Sequence, residues 1–491
     1  MERFTDSIGS PSDVATDAGS GAAPHVAIDM AIDAGIHPSD PRLICPSIGR
    51  GHGDGAPLLA PIVQSSTFVR DGVGSDPDHQ YSRVSNPTVA TLEAALGALE
   101  DAPPAACFTT GLAAESALFL ALLRAGDHVI CGRAVYGGTT RLLQQLLPDL
   151  GVACTFVDSH DATQIADALR PETRLVFVET PSNPTLELTD IAACRAALDG
   201  HDALLAVDNT FLTAALQRPL DLGADISVYS TTKFIDGHSI ALGGAIVARD
   251  EAVLDRIRFI RKCTGAIQTP FDAWLTINGL KTLPLRLAAQ SAAAAEIATW
   301  LAGQAGVRVV HHPSRADAKN RAIAARQHPA GDGAVVSFEV DGDVAGGTRF
   351  VSALTRCTLV EHVGSVETLI THPASMTHAD VPADEREAAG IAGGLLRLSV
   401  GLEPVESIVA DLQRGLDAAS AASVEGKAIE PGGTPGAAGD RAADASVTAA
   451  SGTAFSEAAS SGTASPGTPG RATASASAST AKEVEPCLAR A

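Results

Sequence analysis

The feature that most constrains this chain is a series of short apolar runs separated by amphipathic stretches. HVIC at 128–131, VACTFV at 152–157, RLVFV at 174–178, LLAV at 204–207, DISVY at 225–229 and GAIVAR at 244–249 are rich in aliphatic side chains. Runs of this kind have no consistently polar face, so they need cover on both sides of a sheet. Helical patterns at 113–124, 139–147, 161–169 and 190–198 lie between many of them. The alternation predicts an α/β fold with a mostly parallel sheet and helices on both faces. After about residue 281 the pattern changes. An Ala-rich helix from Leu285 to Ala302 leads to strands at 307–311 and 334–340, then to more helix. This predicts a second, smaller α/β domain.

Composition sets the limits of the folded part. Residues 1–40 are rich in Ser, Asp, Ala and Gly, and residues 421–491 carry runs such as SGTASPGTPG and ATASASAST. Such segments bury too little apolar surface to offset chain entropy, so both ends are expected to be disordered. The expected organisation is a folded stretch over 41–420. The 57 acidic against 35 basic residues, a net charge of −22, argue against nucleic-acid and polybasic membrane partners. No signal-peptide pattern and no apolar run of transmembrane length is visible, so a cytoplasmic location is expected. The eight cysteines include no C-x-x-C pair. Buried free thiols are the expectation, rather than zinc or disulfides. His238, His372 and His378 lack good helical ligand spacing and read as structural, so no metal is expected.

Open α/β sheets bind ligands beyond the carboxyl ends of their strands. LLAV ends in Asp208-Asn209-Thr210, and DISVY ends in Ser230-Thr231-Thr232-Lys233. An acid, a lysine and hydroxyls together suit pyridoxal 5′-phosphate. The lysine forms a Schiff base, the acid keeps the ring nitrogen protonated, and the hydroxyls hold the phosphate. Thr110-Gly111-Leu112 precedes a helix and offers an anion-binding N-terminus. Tyr136-Gly137-Gly138 can lay an aromatic face on a ring, and Pro181-Ser182-Asn183-Pro184 puts an amide at a third strand end. The chain has three tyrosines, Tyr81 in YSRVSNPT, Tyr136 in VYGGT and Tyr229 just before the S-T-T-K segment, and their placement suggests site residues rather than core filler. Neither a G-x-G-x-x-G fingerprint nor a G-x-x-x-x-G-K-[ST] loop is present, which disfavours a dinucleotide enzyme.

QYSRVSNPT at 80–88, VYGGTT at 135–140, ETPSNPT at 179–185, VDNTF at 207–211, STTKFIDGH at 230–238, ETLITHPASMTH at 367–378 and RLSVGLE at 397–403 occur in one order. Together they resemble the pyridoxal-phosphate enzymes of cysteine and methionine metabolism. That family includes cystathionine γ-synthase, γ-lyase and β-lyase, methionine γ-lyase and the O-acylhomoserine sulfhydrylases. The resemblance covers 41–420 and implies fold type I. It implies an arm over 41–85 that contacts a neighbouring subunit, a cofactor-binding domain over 86–281 and a C-terminal domain over 282–420. It also implies roles. Lys233 carries the cofactor and shuttles protons, Asp208 pairs with the ring nitrogen, and Tyr136 stacks on the ring and serves as the acid for the leaving group. Asn183 meets the ring oxygen. Gly111, Leu112, Ser230 and Thr232 hold the phosphate, and Arg397 clamps the substrate carboxylate. Tyr81 and Arg83 reach the phosphate of a neighbouring subunit, with Tyr81 counted among the catalytic residues beside Lys233 and Tyr136, which implies a homodimer at least and a dimer of dimers by habit of the family.

At the level of substrate the motifs diverge. Glu361 stands where the cystathionine γ-enzymes carry an acid, and in a closed cleft it would greet a distal ammonium. His362 replaces the usual Ser, and it counts with Glu361 and Arg397 among the expected substrate-binding residues. Gly138 stands where methionine γ-lyases carry Cys. The expectation is a transsulfuration enzyme of the cystathionine γ-synthase or γ-lyase type, acting on a sulfur-containing or O-acyl amino acid by elimination or γ-replacement. A β-lyase, a methionine γ-lyase, a sulfhydrylase and a non-catalytic cofactor-binding relative stay open.

Overall fold

A computed structural model describes residues 37–377, 379, 386–387 and 390–425. The segments 1–36 and 426–491, together with His378 and Cys487, lie outside the described residues. Seven strands form the larger sheet: β1 (Ala106–Phe108), β2 (His128–Gly132), β3 (Ala153–Val157), β4 (Thr173–Glu179), β5 (Leu204–Asp208), β6 (Ile226–Tyr229) and β7 (Gly244–Ala248). Their order is β1-β7-β6-β5-β4-β2-β3. The five strands from β3 to β6 pair in parallel, while β7 runs antiparallel to β6, and β1 antiparallel to β7.

The apolar runs fill both faces. Val176 and Val178 join Leu205 and Val207 in one core, and Leu175 and Phe177 join Ala206 and Val228 in the other. Alternation along β4 therefore divides one strand between two helix-covered layers. The helices begin on side-chain caps: Asn86, Thr110, Asp161, Asp190 and Asp250 each accept a backbone N–H from the first turn that follows. The stretch expected as a helix over 139–147 is an α-turn at Gly137–Arg141 continued as a π-turn at Leu142–Leu146.

Helix Leu283–Leu301 leads into the second sheet: β8 (Val307–His311), β9 (Val335–Val340), β10 (Thr358–Leu359), β11 (Leu369–Thr371) and β12 (Leu395–Ser399). Its order is β10-β11-β12-β9-β8, and only β10 and β11 are parallel. A third core joins this sheet to helices Leu283–Leu301 and Val405–Glu425. Three corrections follow. β1 was not expected, because three residues are too few to show a pattern. The stretch after 340, expected as helix, is helical at Asp343–Ser352 and Val405–Glu425 but also contains β10, β11 and β12. Helix Val405–Glu425 also runs past 420, so the low-complexity segment starts no earlier than 426.

Among the described residues no helix is long and apolar enough to cross a membrane. Cys45, Cys107, Cys131, Cys194 and Cys357 are buried thiols, and Cys263 is exposed. His238 bonds through Nδ1 to the Asp236 carbonyl at 2.6 Å. His372 bonds to the Ser375 hydroxyl and to the Gly393 carbonyl, each at 2.7 Å. The remaining coil, 48–86, leaves Leu58, Val69 and Val73 strongly exposed.

Candidate active site

The site gathers at the carboxyl ends of β4, β5 and β6. These strands end in Glu179, Asp208 and Tyr229, and Glu179 is the register partner of Asp208. Asp208 is buried, and its Oδ1 accepts the Thr210 N–H at 2.9 Å. Burial raises its carboxyl above the usual range, opposed by Thr210 and by the Lys233 charge. Lys233 is partly buried just beyond β6. Burial pulls its ammonium down to about 8, Arg397 adds repulsion, and Asp208 resists. Thus a fraction of Lys233 is free amine near neutral pH, which is the form a nucleophile and proton acceptor needs.

Helix Gly111–Leu122 points its N-terminus at the same place. Thr110 satisfies the N–H groups of Ala113 and Ala114, which leaves those of Gly111 and Leu112 directed out of the helix end. A Cβ on Gly111 would lie 2.9 Å from the Ser230 Cβ, so only glycine lets the helix end approach this loop. Ser230 is held through its N–H, which donates to the Thr210 hydroxyl at 2.8 Å. Thr232 is differently engaged. Its hydroxyl donates to the Gly243 carbonyl at 3.2 Å and accepts the Gly243 N–H at 3.0 Å.

Arg397 comes from the middle of β12 and is buried. Its Nη1 donates to Asn183 Oδ1 at 2.7 Å, and its Nη2 donates to Thr371 Oγ1 at 3.0 Å and to the His362 carbonyl at 3.2 Å. Its Nε is buried without a partner. A buried guanidinium with an unused donor suits a carboxylate that arrives with substrate. Burial lowers it to about 10, with Glu179 opposing, so it stays cationic at neutral pH.

Gly364 brings the loop before β11 to the lysine. At φ +90°, its Cβ position would lie 2.5 Å from Phe234 N and 2.7 Å from the Lys233 carbonyl carbon. That contact sets His362 beside Lys233 and Arg397. Burial, then Lys233 and Arg397, pull the imidazole down to about 4, and its Nε2 is buried without a partner. Glu361 next to it is exposed, which corrects the expectation of a closed environment for that acid.

Tyr136 is half-exposed and caps the turn Gly137–Arg141. Tyr81 and Arg83 lie elsewhere on the chain surface. Arg83 stacks over the Tyr81 ring at 5.4 Å and donates to the Lys262 carbonyl at 3.0 Å. Tyr229 is another correction. It is buried in the core, where its hydroxyl donates to the buried Glu100 and accepts from Asn209 Nδ2 at 3.3 Å. A buried phenol needs a partner, and the alternation of β6 turns this one toward Glu100.

Sequence reasoning missed three groups. Glu179 Oε2 accepts the Tyr136 N–H at 2.7 Å, and its Oε1 accepts the Asn183 N–H at 2.9 Å. Glu115 accepts the Thr139 hydroxyl at 2.7 Å. Thr371 is the third, on Arg397. Two signals were available: Glu179 ends an apolar strand, and Glu115 is the one acid in the helix GLAAESALFLAL. Burial and mutual repulsion with Asp208 raise both carboxyls, Glu115 to about 8, so it carries a proton at neutral pH.

This donor set fits pyridoxal phosphate: an amine of depressed basicity, a buried acid on the neighbouring strand and a helix end open to an anion. The comparisons agree. The family model for the Cys/Met metabolism PLP-dependent enzymes matches residues 52–417. An L-methionine gamma-lyase from Pseudomonas deceptionensis is 39% identical over 372 residues, 74% of this chain and 93% of that protein. A cystathionine beta-lyase from Lactococcus lactis subsp. cremoris is 40% identical over 360 residues, 73% of this chain and 94% of that protein. The solved cystathionine gamma synthase of Xanthomonas oryzae pv. oryzae matches with a TM-score of 0.74 at 42% identity, covering 78% of this chain and 98% of that one. The chain belongs to the Cys/Met metabolism PLP-dependent enzymes, a fold-type I transsulfuration enzyme whose cofactor is pyridoxal 5′-phosphate.

Proposed function

We propose that the enzyme is of the cystathionine γ-synthase or γ-lyase type, with Lys233 as its central proton carrier. The observation that carries the site reading is Lys233 set between the Arg397 and Asp208 charges, with its ammonium drawn down to about 8. The cofactor, when bound, withdraws electrons from the substrate's α-carbon and so makes its proton removable. Arg397 binds the α-carboxylate and fixes which face meets Lys233. Lys233 Nζ takes the α-proton and returns it at a carbon further along. Asp208 would supply the counter-charge to a protonated ring nitrogen. Tyr136 would stack on the ring and hand a proton to the departing sulfur or oxygen. The Gly111 and Leu112 N–H groups and the Ser230 hydroxyl would hold the phosphate. Thr232 would join them with its hydroxyl proton turned from Gly243.

Two observations favour a cystathionine substrate over methionine. Glu361 is an exposed acid next to His362, and in this reading the distal ammonium of a long substrate is set against it. A Cβ on Gly138 would lie 2.5 Å from Tyr136 Cε1 and 3.0 Å from the Leu112 methyl carbons, so the ring packs where a Cys would need room. The test is a panel of cystathionine, methionine, cysteine and O-acylhomoserine with a thiol acceptor. Cystathionine turnover or formation should dominate; faster methionine cleavage overturns the assignment. Because Glu361 is open to solvent, its pair with a distal ammonium is worth about 0.2–1 kcal/mol. Glu361→Ala should therefore raise KM for cystathionine up to about fivefold and leave methionine unchanged. Equal effects on both substrates remove Glu361 from the specificity argument.

The arm residues Tyr81 and Arg83 serve the phosphate of a second copy of the chain, and the working form is a cytoplasmic homo-oligomer, a dimer of dimers. The support is an Arg–Tyr pair on the surface, within a segment of exposed Leu58, Ile62, Val69 and Val73. An apolar surface of this kind is the mark of an interface. Arg83→Ala should weaken cofactor retention by roughly ten- to a hundredfold, the worth of about 1.5–3 kcal/mol for a charged hydrogen bond. Mixing inactive Arg83→Ala and Lys233→Ala subunits should restore activity, since a hybrid dimer has one site with both residues native. Subunit exchange without recovery would place Arg83 outside the shared site.

A further inference from the structure

Glu179 touches neither the lysine nor the guanidinium, yet it bonds to both loops that flank them. It is buried at the end of β4, beside Asp208 in register. One carboxyl oxygen accepts the Tyr136 N–H at 2.7 Å and the other accepts the Asn183 N–H at 2.9 Å. Asn183 Oδ1 in turn accepts from Arg397 Nη1 at 2.7 Å. Three hydrogen bonds thus run in series from the backbone under the aromatic ring to the guanidinium.

We propose that Glu179 is a positioning residue: its carboxyl group ties the Tyr136 loop to the Asn183 loop and, through Asn183, orients Arg397 for the substrate carboxylate. The inference rests on the roles given above to Tyr136 and Arg397. A carboxyl group suits this task because each of its oxygens can accept one N–H, whereas a glutamine has one acceptor and an NH₂ that would face an N–H. Replacing Glu179 by Gln therefore frees at least one loop. Tyr136 and Asn183 lie 47 positions apart in sequence, so a single side chain sets the spacing of two segments that nothing local would fix.

The test is a double-mutant cycle in purified holoenzyme, read as KM for the best substrate of the panel together with visible circular dichroism. Glu179→Gln should keep a borohydride-sensitive absorbance at full stoichiometry but weaken its circular-dichroism band, because the Tyr136 loop is no longer held. It should raise KM about tenfold in the native background. In an Asn183→Ala background, where the link to Arg397 is already cut, the same change should alter KM less than twofold. An equal rise in both backgrounds overturns the proposal. Should Glu179→Gln fail to fold, Glu179→Asp keeps both acceptor oxygens but is one methylene short. It should show the same dependence on background, and its absence again overturns the link. A native protein with no borohydride-sensitive absorbance would instead overturn the reading of the site itself.

Discussion

Lys233→Ala is expected to abolish the borohydride-sensitive absorbance and to lower turnover by at least about a thousandfold, the scale of losing a positioned proton-transfer group and nucleophile together. The fold should survive, because the lysine sits in a partly buried loop and holds no hydrogen bond through its side chain that the core depends on. Absorption spectra after borohydride treatment, set beside far-UV circular dichroism, decide the matter: a chromophore that persists in the variant places the attachment elsewhere. The lysine also has a cost that stability measurements can read. Its pKa of about 8 in the folded protein lies below the value of about 10.4 expected in an unfolded chain. Between those values the unfolded chain binds more protons, so stability rises with pH across that window. Below about pH 8 the whole penalty is present, and above about 10.5 it is gone. Cofactor-free Lys233→Met should therefore melt higher than the native cofactor-free protein at pH 7. The advantage should shrink toward zero as pH passes about 10.5. A constant difference across that range would mean the lysine is not strained by its surroundings.

Arg397→Ala should raise KM for every amino-acid substrate by roughly 30-fold to several-thousandfold. Truncating one member of a buried, hydrogen-bonded charge pair costs about 2–5 kcal/mol. The effect should fall on KM and on kcat/KM more than on the chromophore, since the proposed partner of the arginine is the substrate rather than the lysine attachment. The loss also strands Asn183 Oδ1, Thr371 Oγ1 and the His362 carbonyl, so a lower Tm is expected alongside. Arg397→Lys separates the two effects. It restores charge without the planar fork, so stability should recover further than KM does. A variant that binds substrate normally would remove Arg397 from the carboxylate site. The arginine adds a pH limit of its own. With its pKa near 10, KM should begin to rise as pH passes that value.

The parts that could be read along the chain share one property: their physics is local. Apolar runs at 128–131, 204–207 and 225–229 become β2, β5 and β6, because a strand without a consistent polar face has few other places to go. Asp208 and Lys233 could be picked out because polar residues at the carboxyl ends of such strands have a defined place in an α/β fold. β12 escaped because Arg397 stands in the middle of LLRLS, and a charged residue breaks the pattern of a core strand. β1 escaped because it is three residues long and is recruited by β7, not by its own propensity.

Tyr229 shows the limit from the other side. Adjacency to Lys233 in sequence suggested a site residue, but a strand turns successive side chains to opposite faces, and the tyrosine meets Glu100 in the core. Glu179 is the converse case. It stood in view within ETPSNPT, yet its task depends on which loops return to it, and hydrogen bonds across tens of residues leave no periodic trace. The same holds for the Arg397 cluster, whose acceptors Asn183, His362 and Thr371 are 214, 35 and 26 positions away. By itself, then, the sequence determined the layers of the sheet, the acid and lysine at its carboxyl edge, and the family. Tertiary structure alone decided which buried groups meet, because hydrophobic periodicity encodes a face but not a partner. That includes the three carboxyls crowded beneath the site, the imidazole of His362 left without a partner beside the lysine, and the loops that one glutamate joins.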